Sequence, residues 1–441
     1  MQILQQILFL LVLGASSFIF YKKIKSIRRN IFLGKPKQFE GDTKLRWNNV
    51  LLLAFGQKKM FKRMTPAILH FFVYAGFVII NVEMLEIVLD GILGTHRLFA
   101  PLLGGLYPIL ISCFEILAAA VLIACVVFLI RRNILRIKRL NMKELEGFPK
   151  TDAILILTTE VVLMSLLLLL NATDLQLQNL NAPHYTQTGG YLISSQIAPL
   201  FSGMSINGLI AVERVAWWLH IIGVLAFLNY LPYSKHLHIV LGFPNAYYAP
   251  LEPAGTMKNM PAIQNEVLYM MEPDKAPTDL DPNAAPARFG AKDAVDLSWK
   301  SLMDAYACTE CGRCTDSCPA NLTGKLLSPR KIMMDTRDRI EEIGKNIDLN
   351  GTFVDDGKTL VHDYITTEEL RACTSCNACV EACPVSISPL DIIVELRRYL
   401  VMEESNSPQE WNMMFTNIEN NMAPWKMSPD DRDKWVEEMA N

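Results

Sequence analysis

The chain has 441 residues, enough for two or three domains. Hydrophobic residues make up 51% and charged residues only 20%, a balance that leans towards a membrane protein. The net charge is −3, and no basic arm or aromatic–basic interleaving supports nucleic-acid binding.

Five apolar stretches, roughly 3–20, 66–89, 107–130, 152–171 and 210–232, match the length needed to cross a bilayer. The first has no basic residue before it. Its basic cluster, Lys22, Lys23, Lys25, Arg28 and Arg29, follows it, the reverse of a secretory signal, so it reads as an uncleaved anchor. Segment 21–63 carries thirteen Lys and Arg and segment 131–150 carries seven. Segment 91–106 carries only Arg97, and 172–209 carries none. The positive-inside rule then places the first two loops in the cytoplasm, the N-terminus outside, and everything after the fifth span inside.

Residues 241–300 form a proline-rich linker (Pro244, Pro250, Pro253, Pro261, Pro273, Pro277, Pro282 and Pro286), expected to run extended over a surface. Beyond it, Ser328-Pro329 reads as an N-cap and first-turn proline opening a helix that Gly344 is placed to stop. Ser388-Pro389 opens another, through Ile392, Ile393, Leu396 and Leu400. No strand pattern of any length intervenes, so the segment reads as all-helical. The tail after Glu403 holds Trp411, Trp425 and Trp435 among acids; it is suited to docking on a partner or to packing back on its own domain, and packing back is favoured.

Two cysteine runs dominate this second half. Cys308, Cys311, Cys314 and Cys318-Pro319 form the first; Cys373, Cys376, Cys379 and Cys383-Pro384 form the second. Both fit C-x2-C-x2-C-x3-C-P, the bacterial ferredoxin run for [4Fe–4S] clusters, in which the fourth cysteine serves the other cluster. One cluster is therefore assigned to Cys308, Cys311, Cys314 and Cys383, the other to Cys373, Cys376, Cys379 and Cys318. Zinc sites more often pair C-x2-C units or include histidine, and neither run contains one. Disulfides would need an oxidising compartment. The other two cysteines, Cys113 and Cys125, stand alone in an apolar helix and read as packing residues.

Histidines and acids mark the membrane segments. His70 lies in the second span and His220 in the fifth, with His236 and His238 at its end. Ionisable residues inside a lipid-spanning bundle are rare, and several histidines ahead of an iron–sulfur domain favour haem b with two axial histidines. His220 and His238 are 18 residues apart, five turns of a regular helix, so they share a face that His236 does not. This makes His238 the better ligand provided the helix continues past Pro232. Depth alone leaves open whether His70 pairs with His220 or His238. Asn81, Glu83, Glu86, Glu115 and Glu160 are suited equally to interhelical bonding and to a proton route.

A five-span, histidine-bearing membrane segment followed by two such cysteine runs resembles the nitrate reductase gamma-type cytochrome b domain fused to a two-cluster ferredoxin of the heterodisulfide reductase HdrC type. It is similar to the membrane-bound heterodisulfide reductase-related proteins, including electron-transfer-flavoprotein:quinone oxidoreductases. The resemblance implies an all-α fold: a five-helix transmembrane cytochrome b-type bundle over 1–240, the linker 241–300, a cytoplasmic α-helical ferredoxin domain with two [4Fe–4S] clusters over 301–402, and a tail over 403–441. It carries the cytoplasmic-side haem onto His70 and His238. The outer haem keeps His220 but meets Ile80 where its partner is expected, leaving His96 or His184 as substitutes, or His220 as a quinone contact. One haem is the leaning, two the alternative. No Cys-Cys-Gly module, G-x-G-x-x-G or P-loop is present. Terminal electron exchange is thus expected on another polypeptide, a cysteine-rich CCG-type Fe–S protein or an electron transfer flavoprotein.

The implied role is a quinone-linked oxidoreductase subunit in a bacterial or archaeal cytoplasmic membrane, moving electrons between the quinone pool and a cytoplasmic partner. Its rivals are a membrane Fe–S metal reductase or assembly factor for respiratory enzymes, with no quinone site, and a passive membrane tether for a ferredoxin. The membrane histidines and acids are too many for a tether.

Overall fold

The computed structural model describes residues 2–253, 255–257, 259–277, 288–426 and 428–440; Pro282 and Pro286 of the expected linker lie outside these. The architecture is helical, with a helical C-terminal region and no named strands among the described residues. Five helices are long and apolar enough to cross a membrane: α1 (Gln2–Ile31), α2 (Met64–Leu93), α3 (Tyr107–Asn133), α4 (Phe148–Asn179) and α5 (Ile206–Tyr230). Their ends follow local chemistry. Gly94 closes α2 in the left-handed region at φ 71°, and Ser205 caps α5 by accepting from the Gly208 amide.

The helix α5 stops at Tyr230. Pro232 sits in a 3-10 turn over Leu231–Tyr233, Ser234 is extended, and a second turn leads into α6 (His238–Tyr247). Proline removes an amide donor and crowds the preceding turn, so the helix does not run on. His238 opens a new helix, and the 18-residue count no longer places it on one face with His220. Nor does the linker run extended throughout. Residues 238–247 form α6, and α7 (Pro261–Met271) follows. Residues 291–297 are buried in the cluster domain through Ala291, Ala294 and Leu297.

The cluster domain is built on α8 (Trp299–Ala307), α9 (Pro329–Asn350) and α10 (Pro389–Met402). Ser328 caps α9 as expected, but Gly344 does not end it; Gly351 does, at φ 79°. Gly344 serves a close approach instead. A Cβ there would lie 2.5 Å from the amide atoms of Asn30 on α1, because α1 continues past the bundle into the core of the cluster domain. Ile27 and Ile31 are buried with Leu302, Ile340, Ile343 and Leu396. Asn30 Nδ2 donates to Tyr306 Oη (3.0 Å), and Lys23 pairs with Glu341 (2.9 Å). At 1.5 Å per residue, 30 residues span about 45 Å, long enough for one helix to serve both layers. Only the start of the tail packs back, through His362–Glu404 and Arg371–Asn406; α11 (Gln409–Asn421) buries no side chain, and Trp411, Trp425 and Trp435 are all exposed.

Gly344→Val should therefore force α1 and α9 apart at a cost of about 1–3 kcal/mol. Thermal unfolding of the detergent-solubilised protein, followed by far-UV circular dichroism, should begin at lower temperature. An unchanged transition would mean that the two helices are not in contact.

Candidate cofactor-binding sites

The two cysteine runs fold alike. The residue two after the first cysteine is left-handed in each (Glu310, φ 52°; Ser375, φ 55°), as is the residue after the second (Gly312, φ 72°; Asn377, φ 61°). These reversals turn the three cysteines of each run towards one another. At Gly312 no side chain fits, since a Cβ would collide with the Arg330 guanidinium and with the Arg139 carbonyl at 2.9 Å. Each fourth cysteine is carried away by the following proline. Cys383 lies with the first run: it lines one cavity with Cys308, Cys311 and Cys314, which Cys379 does not. Cys318 joins the second: it acts on Cys379 together with Cys373 and Cys376. The first quartet lines one pocket with Met333 and Ile387. Backbone amides of Ser375 and Ile387 approach Cys373 Sγ and Cys383 Sγ at 3.4 Å, the donors that thiolate-held clusters use to tune potential.

Burial and the neighbouring sulfurs push the thiols up, Cys308 and Cys379 to about 12 and Cys383 to about 11. Ligands must be thiolates, so loading releases protons and is favoured by rising pH. Among the described residues no three His, Cys, Asp or Glu converge tightly enough to share one ion.

The first quartet is tied to the membrane helices. Lys235, between α5 and α6, pairs with Glu310 Oε2 at 2.5 Å, and Arg337 on α9 pairs with Glu310 Oε1 at 2.8 Å. Burial works to raise the Glu310 carboxyl, but these two cations hold it below the usual carboxylate range. Arg139 donates to the Cys311 carbonyl, Arg330 donates to the Arg139 carbonyl at 2.6 Å, and Arg313 reaches the carbonyls of Lys59 and Met60 at 3.3 Å. Arg313 is also within electrostatic reach of His70.

His70 and His238 face each other with ring centroids 6.4 Å apart. Two imidazoles bound on opposite sides of one metal, at about 2.1 Å each, place their centroids roughly 6–6.5 Å apart. His238 Nδ1 lies 2.9 Å from the Lys235 carbonyl. Donation there leaves Nε2 free as a ligand, the usual support for a metal-bound histidine. His236 packs edge-on against His238 at 5.4 Å, and its buried Nδ1 has no partner among the described residues. Burial and the two neighbouring imidazoles hold it well below the usual histidine range. His220, buried in α5, is anchored by Nδ1 to the Leu163 carbonyl at 3.0 Å.

The far end of the bundle is closed by a polar network that the sequence does not reveal. Arg97, which the sequence shows only as a loop charge, is buried. It contacts Asp174 (3.0 Å), Asn171 (2.6 Å) and Glu83 (3.4 Å). Glu86 accepts from Tyr107 (2.7 Å), and Glu115 accepts from the Ile193 amide (2.8 Å). His96 uses Nε2 on Asp174 and Nδ1 on the Thr186 amide, so neither nitrogen remains for a metal; His184 lies on an exposed turn. Cys125 is buried as expected, while Cys113 is exposed.

Fold and site together define a membrane-spanning iron–sulfur electron-transfer protein. Residues 307–387 match the 4Fe-4S dicluster domain family. The chain is 30% identical over 461 positions to the "Probable iron-sulfur-binding oxidoreductase FadF" of Bacillus subtilis, covering 98% of this chain and 61% of that one. It is 27% identical over 409 positions to the "EtfAB:quinone oxidoreductase" of Syntrophomonas wolfei, covering 88% and 53%. A 107-residue stretch, 24% of this chain and 53% of the relative, is 34% identical to one subunit of the ferredoxin/F(420)H(2)-dependent CoB-CoM heterodisulfide reductase of Methanosarcina acetivorans. Its homologues are thus iron–sulfur oxidoreductases, and the chain spans between half and three fifths of each of these three. No solved structure matches it.

Crossed ligation by the fourth cysteines, as the two runs lead one to expect, has a direct consequence. Cys318→Ser should impair the cluster of the second run and Cys383→Ser that of the first, each leaving the other in place. Iron and sulfide analysis with electron paramagnetic resonance should find about one cluster in each variant and different surviving signals. The same surviving signal in both would contradict it.

Proposed function

We propose that the chain is a membrane electron conduit between the quinone pool and a soluble redox partner on the cytoplasmic side. One observation carries this reading: the succession of ligand sets. His70 and His238 meet at the cluster-side end of the bundle, the quartet of Cys308, Cys311, Cys314 and Cys383 is braced against that end, and the quartet of Cys373, Cys376, Cys379 and Cys318 adjoins it. Cys376 is exposed, which suits exchange with a partner at the surface. When bound, one haem b and two [4Fe–4S] clusters supply one-electron carriers. The chain holds their ligands, fixes the spacing through Glu310, Lys235 and Arg337, and sets cations beside the first quartet, where positive charge favours the reduced state.

The excess of Lys and Arg in the loops on the cluster side supports a cytoplasmic placement. The name of the Syntrophomonas relative joins EtfAB to quinone, and the Methanosarcina relative is one subunit of a heterodisulfide reductase. Both support a flavoprotein or Fe–S partner. With His96 committed to Asp174, a single haem is the better reading, and His220 is assigned to the quinone.

A visible spectrum of the purified protein tests this first. Reduction should bring up b-type bands as the broad cluster absorbance bleaches; cluster absorbance alone would favour an assembly factor or a tether. His70→Ala and His238→Ala should each lose the haem while keeping both clusters, because no cysteine is touched. His236→Ala should keep it. Haem and iron assays read all three, and haem lost with His236 but retained without His238 would move the ligand to His236.

A further inference from the structure

The five spans contain eight acidic residues. Seven have partners. Glu83, Glu86, Glu115 and Asp174 belong to the network around Arg97, Asp90 caps the following turn, Glu213 pairs with Tyr185 and Arg214, and Asp152 accepts from Tyr230. The eighth is Glu160 on α4. Among the described residues no hydrogen bond or ion pair reaches it, and Cys125 on α3 lies within its electrostatic reach.

Its direction follows from the helix period. Leu155, Thr158, Val162 and Ser165 form the exposed face of α4. Two residues along a helix turn about 200°, so Glu160, two from both Thr158 and Val162, points the opposite way. It falls on the seam of Ile156, Leu163 and Leu167, which are 2%, 4% and 1% exposed. Glu160 is less covered than these neighbours. It faces inward, keeps some accessible surface and has no bonded partner among the described residues. Asp152 lies eight residues earlier on the same seam, about 12 Å towards the cluster side, and Leu163, whose carbonyl anchors His220, is about 4.5 Å further on.

We propose that Glu160 is the proton carrier for the quinone assigned to His220, an inference that rests on that assignment. Reduction of a quinone to a quinol takes two electrons, here from the reduced soluble partner, and two protons, one on each oxygen. The Glu160 carboxyl gives up one proton and becomes a carboxylate. It serves the oxygen on its own side and is reloaded by a proton from water on the Asp152 side; the other oxygen takes its proton from the same water. Quinol oxidation runs the same steps in reverse.

The test uses the full-length protein in detergent, reduced with dithionite and reoxidised by a short-chain benzoquinone. Glu160→Gln should keep wild-type haem and iron content and the same reduced spectrum, but reoxidise about 10²-fold more slowly, the scale of a lost general acid. Glu160→Asp should recover part of the rate. Redox-difference infrared spectra with quinone present should show a protonated-carboxyl band change in wild type that is missing from Glu160→Gln. Wild-type reoxidation rates in Glu160→Gln, or an unchanged carboxyl band, would overturn the inference while leaving the quinone reading in place. Wild-type protein loaded with haem and clusters yet inert to quinone would overturn that reading and this inference with it.

Discussion

The arrangement depends on one buried ion triad, Lys235–Glu310–Arg337. Glu310 sits inside the first cysteine run in a left-handed conformation, Lys235 precedes the helix that His238 opens, and Arg337 belongs to the longest helix of the cluster domain. Removing charges from water is costly, and a pair in low dielectric repays the cost only with good geometry and further hydrogen bonds. Here Lys235 also bonds the Pro149 carbonyl at 2.7 Å and lies 3.6 Å from Asp152. Loss of Glu310 would remove the one carboxylate that joins Lys235 to Arg337, leaving each cation only its partner on its own side, Asp152 and Asp338. The triad therefore fixes distance and register between the histidine pair and the first quartet, which a flexible linker would leave variable.

A second brace works at longer range. The helix α1 has a core face at each end: Phe9 packs on Trp217 at 5.6 Å in the bundle, and Ile27 and Ile31 are buried in the cluster domain. Membrane and cluster layers are one packed body through this helix. That argues against a tether, since a tether needs no helix embedded at both ends.

Much of this was legible in the sequence, for definite reasons. The doubled cysteine spacing encodes both quartets because cubane chemistry dictates it, and the spans follow from apolar runs that a bilayer demands. The pairing of His70 with His238 was reached by resemblance. The helical count offered in its support fails at Pro232, where the turn and extended Ser234 replace a continuous helix. Gly344 read as a helix stop because glycine commonly is one; its use as a contact surface for Asn30 depends on a helix over 300 residues away. Arg97 was illegible for a similar reason. Its partners come from other helices, and no local pattern shows that a loop cation folds inward. An asymmetry between the runs was on view, however: Glu310 and Arg313 stand in the first where Ser375 and Ala378 stand in the second, and Glu310 is the residue that meets Lys235 and Arg337.

The central claim is that a histidine pair and two crossed cysteine quartets form one connected set of cofactor sites. A cryo-EM map of the purified protein tests it most directly. The account predicts planar density between His70 and His238 and two compact cubane densities, one touching Cys383 with the first run and the other touching Cys318 with the second. A map with no density between those histidines, or with each run ligating its own cluster, would contradict it.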